Sequence, residues 1–293
     1  MLRLADRQID SLIGGSAFEA VSEFAGPFTT MVIADLLGIP EEDHRAFYEN
    51  FARSHLHLGE ERKAVHNPLA FLDPIFTDYI EDRRRSPRKD GLTELALAKF
   101  PDGTTPTTSQ IVNIATFLFA AGRDTSARLL VAALRILAED AELQQRLRRE
   151  RQLIPHFIEE VLRLESPVKS DFRLARVPVQ VGDIRVTPGT TVMILVGAAN
   201  RDPRRFERPG ELRLDRKNVR DHLAFGRGIH ACVGAPLARA EAKISLERLF
   251  ERTSAITISD EKHGPGGARR FEYEPIYLLR GLKELHVNIV PAD

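Results

Sequence analysis

Cysteine is almost missing from this chain. Cys232 is the single one in 293 residues, which excludes a disulfide framework within the chain. An excess of one charge is missing too, since 42 basic residues face 42 acidic ones. No global basic field is available to hold nucleic acid, and no acidic tail points to disorder. The opening, Met1-Leu-Arg-Leu-Ala-Asp6, lacks a secretory apolar core. The longest apolar stretch, Ile111 to Ala121, contains Asn113 and Thr116 and is too short and too polar to span a bilayer. There is no internal repeat, linker, low-complexity tract, Walker loop or dinucleotide fingerprint. A cytoplasmic, soluble chain is expected, with neither nucleic acid nor membrane as partner. Hydrophobic types make up 43% of it, ample for a large core, and 1–293 reads as one domain.

The first half reads as helices. Ala20 to Leu37 is apolar at Val21, Phe24, Phe28, Val32, Ile33, Leu36 and Leu37; Gly26-Pro27 breaks it and Gly38-Ile-Pro40 stops it. Glu41 to His55 and Pro68 to Arg85 follow, the latter ending in an arginine run that reads as a solvated helix end. Thr108 or Ser109 is expected to cap a long helix reaching Glu139, whose apolar middle, Ile111 to Ala121, should run through the interior. Leu153 to Glu165 is a shorter helix with Pro155 in its first turn and Ser166-Pro167 at its end. Beyond it the period changes: Val177, Val179 and Val181 alternate, Gly182-Asp183 offers a turn, and Thr190 to Val196 reads as a strand. The fold class expected is mainly α with small β-sheets.

Cys232 sits in Phe225-Gly-Arg-Gly-Ile-His-Ala-Cys-Val-Gly234, just ahead of a helical pattern opening at Pro236. Gly226, Gly228 and Gly234 allow tight bends and close approach. A helix N-terminus favours a thiolate over a thiol. An anionic sulfur presented to a flat partner is what a thiolate-ligated haem iron requires. Taken alone, the cysteine could equally be a small buried hydrophobe, or a nucleophile beside His230. Ala121-Gly-Arg-Asp-Thr125 puts poor helix formers inside a long helix, which suits either a kink or a groove where a ligand nears the Gly122 backbone and the helix widens. Glu160-Val-Leu-Arg163 is an i,i+3 pair, by itself a commonplace surface contact. His55-Leu-His57 has metal-like spacing but no further ligand to complete it.

The segment Phe225 to Gly234 resembles the haem-ligand loop of the cytochrome P450 family, F-G-x-G-x-H-x-C-x-G, at every fixed position. The resemblance extends to Ala199-Asn-Arg-Asp-Pro203, Leu237-Ala-Arg-Ala-Glu241 and Leu279-Arg-Gly-Leu282 of soluble bacterial members. It implies the P450 fold, haem b as cofactor, and Cys232 as axial ligand of its iron, with Phe225, Gly226, Gly228 and Gly234 shaping the loop. Residues 121–125 resemble the family's A/G-G-x-D/E-T segment, so Ala121 and Gly122 are implied to border the haem, Thr125 to hydrogen-bond dioxygen and order water, and Asp124 to relay protons. Arg123 fills the variable position as a bulky cation. His230 and Arg173 are implied partners of the propionates, Arg176 a weaker competitor. Glu160 and Arg163 are implied to be buried with Arg216, setting the loop rather than doing chemistry. Pro167 to Asp171, Phe117, Ala120 and Ala121 are implied to line the substrate pocket.

The implied reaction is monooxygenation: one oxygen atom of O2 enters an apolar organic substrate and the other becomes water. Electrons are implied to come from a ferredoxin-type donor and its reductase. By the same resemblance, a complete member carries roughly another quarter of sequence ahead of Met1, so the chain reads as the C-terminal three-quarters of the fold. A weakly haem-binding or non-catalytic remnant is the alternative, and a cysteine hydrolase using Cys232 and His230 a poorer one.

Overall fold

The computed structural model describes residues 1–56 and 69–292, with side chains described outside 51–56. His57, and the side chain of His55, fall outside that description. In chain order the helices and strands are α1 Leu2–Ile13, β1 Ala17–Glu19, α2 Gly26–Leu37, α3 His44–Leu56, α4 Asp73–Arg85, α5 Gly91–Ala96 and α6 Thr108–Glu139. Then come α7 Ala141–Arg149, α8 Ile154–Glu165, β2 Asp171–Leu174, β3 Val179–Val181, β4 Ile184–Val186, β5 Thr191–Ile194 and α9 Val196–Ala199. The chain ends with α10 Ala235–Arg252, β6 Thr253–Ile258, α11 Asp260–His263 and β7 His286–Pro291. The fold is mainly α with small sheets. By contacts it forms two compact units, one of Met1–Gln8 with Gly26–Ala127 and one of Ile9–Ala25 with Arg128–Asp293.

In the first unit the core is aromatic. Phe47, Phe76 and Phe119, from α3, α4 and α6, meet with ring centroids 5.1–6.1 Å apart. Helix α2 buries Phe28, Val32, Ile33 and Ala34. Gly26-Pro27 does not break the preceding helix as expected. Ala20–Ala25 is a turn of π-helix that hands over to α2, so the proline sits in α2's first turn, where no donor is missed. With that turn, Ala20–Leu37 is long and apolar enough to cross a membrane, but 61% of it is buried like a core helix.

Two expectations here need correction. The cap of α6 is Thr107, not Thr108 or Ser109. Thr107 Oγ1 accepts from Gln110 N–H at 3.3 Å, while Gln110 Oε1 accepts from Thr107 N–H at 2.9 Å, a reciprocal capping box. Thr108 Oγ1 instead accepts from Arg84 at 2.7 Å. The arginine run is only in part a solvated end, since Arg85 is exposed while Arg83 turns inward. Arg83 is 1% exposed and donates to Asp90 at 2.7 Å, Asp82 at 2.8 Å and the Gly38 carbonyl at 2.7 Å. Asp90 in turn caps α5, accepting from Thr93 N–H at 2.8 Å.

In the second unit β1, β7 and β6 form an antiparallel sheet in that order, with Phe18 opposite Val287 and Ile256 opposite Ile289. Asp140 caps α7 through Leu143 N–H at 2.9 Å. From α7, the buried Gln144 side chain behaves like a backbone amide toward β6. It donates to the Ile256 carbonyl at 2.8 Å and accepts from the Ile256 N–H at 3.0 Å. Helix α8 buries Ile154 and every residue from Phe157 to Glu165. Pro155 opens it, and Ser166, at φ +37°, turns the chain out before Pro167. Gly182, at φ +58°, makes the β3–β4 turn. The Val177, Val179 and Val181 alternation sorts nothing into a core, because all three are exposed and only the last two lie in β3.

Arg83→Met leaves the Asp90 carboxylate without its guanidinium, so urea unfolding should show a loss of about 3 kcal/mol. A change near zero would return the arginine run to a solvated role.

Candidate functional site

The cysteine loop, in the second unit, is folded by its glycines and a few backbone bonds. Gly226 (φ +66°) and Gly228 (φ +75°) take left-handed conformations that side chains disfavour. Gly234 does not. Its φ is −80°, and a Cβ there would stand 3.8 Å from the Cys232 sulfur, so its smallness leaves the sulfur uncrowded rather than bending the chain. Gly228–His230 makes one 3₁₀ turn. Cys232 N–H donates to the Phe225 carbonyl at 2.8 Å, closing the loop on itself. Cys232 is exposed just ahead of α10, flanked by Ile229 at 97% exposure and Val233 at 82%. No hydrogen bond joins it to His230 among the described residues.

Behind the loop, α8 carries two neighbouring buried carboxylates. Glu160 accepts from Arg163 at 2.7 and 3.0 Å, from Arg216 at 2.9 Å and from the Arg213 N–H at 2.8 Å. Burial pushes its carboxyl up, but these donors and the two guanidinium charges outweigh burial and hold it below the usual range. Arg163 goes on to the carbonyls of Asn200 (3.1 Å), Pro209 (2.7 Å) and Glu211 (3.0 Å). The fully buried Asn200 accepts from Leu223 N–H at 2.6 Å, at the entry of the cysteine loop.

Glu159 is a functional candidate that sequence reading missed. It accepts from Arg239 of α10 at 2.5 and 3.0 Å and pairs with His222 Nε2 at 2.9 Å. Burial raises its carboxyl, while His222 and Arg239 lower it by more and hold it at about 2. The Arg239 guanidinium lies over the Phe225 ring, 4.6 Å from its centroid.

Arg173, on β2, is half exposed and bonded to Asp171. The Arg173 hydrogen bond holds the Asp171 carboxyl below its usual range. Lys169 lies against Gly197, where an added Cβ would stand 3.4 Å from the Lys169 Cβ.

The Ala121–Thr125 segment, in the first unit, lies in an unbroken α-helix; the expected widening is not there. Thr125 Oγ1 donates to the Ala121 carbonyl at 2.8 Å, the back-bonding available to a threonine inside a helix. The space left by Gly122 is used by α2, since a Cβ there would meet Ile33 at 3.0 Å. That corrects the reading of the glycine as room for a ligand. Arg123 is buried, donating to Thr30 Oγ1 at 3.0 Å with its guanidinium over Tyr48. The expected all-round burial of the helix middle also fails, because Ile114 and Phe117 (66%) are exposed.

The cytochrome P450 family profile matches residues 47–265, a span that includes the cysteine loop, the α8 carboxylates and residues 121–125. The chain belongs to the cytochrome P450 family. It is 36% identical to cytochrome P450 144 of Mycobacterium tuberculosis over 98% of its length and 65% of that protein. Substrate-free CYP150A6 of Mycobacterium marinum is 55% identical, with a TM-score of 0.90 over 100% of this chain and 69% of that one. CYP109E1 of Bacillus megaterium, solved in complex with testosterone, is 33% identical, with a TM-score of 0.86 over 98% of this chain and 77% of that one. The chain thus spans about two thirds of the length of the curated P450 relatives it matches.

Haem is the cofactor of this P450 family, and the residues present fit it. An exposed sulfur between apolar side chains suits a flat iron porphyrin, and Arg173, which already pairs with the Asp171 carboxylate, suits a propionate.

The depressed Glu159 carboxyl fixes a sign for acid stability. Its ordinary value is 4.5 and its folded value about 2, so its contribution is full above 4.5 and is lost as pH falls toward 2. Urea midpoints between pH 6 and 2.5 should therefore fall less steeply in Glu159→Gln than in the parent P450 chain; parallel curves would contradict the assignment.

Proposed function

We propose that this chain carries the haem-thiolate centre of a monooxygenase that places one oxygen atom of O2 in an apolar organic substrate. The observation that carries the reading is the exposed Cys232 sulfur, held ahead of α10 on a loop closed by its own backbone. Haem, when bound, supplies the iron that activates dioxygen. The protein's part begins with Cys232, whose sulfur would be the thiolate ligand of that iron. Gly226, Gly228 and Gly234 keep the loop narrow enough for a flat partner. Arg173, exchanging its bond to Asp171, and His230 hold the propionates. Glu160, Arg163 and Arg216 keep the loop's supporting segment fixed.

In this reading Thr125 orients dioxygen and water, exchanging its bond to the Ala121 carbonyl for one to the ligand. Asp124 passes protons in. Ala121 borders the haem with little bulk, and the exposed Phe117 gives an apolar surface for substrate. The testosterone bound by CYP109E1 agrees with an apolar substrate class. Electrons come from a ferredoxin-type donor in the cytoplasm.

The test is spectroscopic. The purified chain is loaded with haemin, reduced and exposed to carbon monoxide. A thiolate-type red-shifted Soret band is expected, and Cys232→Ala should abolish it. Failure to take up haem would favour the remnant reading, and an unchanged band in Cys232→Ala would overturn the assignment. Thr125→Ala should keep that band but divert reducing equivalents to peroxide, read as peroxide released per reductant consumed. Unchanged coupling would remove Thr125 from the oxygen chemistry.

A further inference from the structure

We infer that Glu159, His222 and Arg239 form a second brace for the cysteine loop, separate from the Glu160 network, which fixes Phe225 and through it the backbone of Cys232. The brace is a chain of contacts. The Glu159 carboxylate holds the Arg239 guanidinium from two sides, at 2.5 and 3.0 Å. The guanidinium lies 4.6 Å from the Phe225 ring centroid, where the negative ring face attracts it. The Phe225 carbonyl accepts the Cys232 N–H at 2.8 Å. Each link is short, and the Glu159 carboxylate at its start is buried, where charge-assisted bonds are strongest.

His222 locks the other end. Its Nδ1 accepts from Ala224 N–H at 3.2 Å, so Nε2 carries the proton and donates to Glu159 at 2.9 Å. The ring is buried and lies 6.1 Å from that of Phe225. One carboxylate therefore holds both the approach to the loop, through His222, and the loop's first ring, through Arg239. Glu160, its neighbour on α8, binds no atom of the loop. It holds the stretch around residues 207–216 through Arg163 and Arg216.

Glu159 and Arg239 are positioning residues in this account. The inference rests on the proposed function only in taking Cys232 as the residue whose placement matters. Its test needs no haem, so its failure and failure of the carbon monoxide test are distinguishable. Removing the Arg239 charge alone strands the Glu159 carboxylate in the interior. The informative variant is therefore the double change Glu159→Gln with Arg239→Met, compared with Arg239→Lys, which keeps a cation over the ring.

The measurement is hydrogen–deuterium exchange of the full chain, reading peptides that cover residues 223–234 and 154–165. In the double variant the loop should exchange about tenfold faster while α8 keeps its parental rate, because local opening and global unfolding are separable by exchange. Arg239→Lys should recover most of the loop protection. Parental loop exchange in the double variant would overturn the inference. So would an Arg239→Lys loop as fast as the double variant's, or a parental loop already exchanging at the free-peptide rate.

Discussion

The structure depends on two carboxylates buried side by side on one helix. Glu159 and Glu160 are adjacent in sequence and face different partners, and neither could stay charged in the interior without them. A buried ion pair of this kind is a poor source of net stability, because desolvation offsets much of the attraction. What it supplies is position. The guanidiniums that neutralise Glu160 also gather the carbonyls of a long segment without regular structure, from Asn200 to Glu211. That segment and the cysteine loop carry almost no helix or strand of their own, so their shape is imposed from α8.

The chemistry follows from this division of labour. An exposed sulfur has to be held still without being covered, which rules out packing it into a core. The loop meets the requirement with left-handed glycines and one internal backbone bond, while the side chains that fix it lie on its buried side. Ile229 and Val233, left almost fully exposed, are what a large flat apolar cofactor would cover.

Much of this was legible in the sequence, and the remainder was hidden for physical reasons. The cysteine loop could be read because its constraints are local, so that ten consecutive residues carry the resemblance to the P450 loop at every fixed position. Glu160 and Arg163 could be paired because an i,i+3 spacing joins them on one helix face. Glu159 could not be paired, since His222 and Arg239 lie 63 and 80 residues away in sequence. Arg83 looked like solvated charge because a run of arginines carries no sign of which member turns inward. Gly122 was read as room for a ligand when the space belongs to Ile33, and only tertiary packing distinguishes the two. The short helices α5 and α7 passed unread although Asp90 and Asp140 cap them, because so few turns give no dependable period.

Gln144 has a consequence of a different kind. Strand β6 is the outer member of its sheet, and an outer strand offers unpaired amides to any second chain that arrives extended. The Gln144 amide bonds both backbone groups of Ile256, acting as one residue of a strand that is not there. The balanced charge of the chain gives copies little reason to repel one another. Resistance to edge-to-edge aggregation at this margin then falls on geometric closure, by Gln144 at Ile256 and by Gln145 and Arg148 at the Ser254 and Thr253 carbonyls.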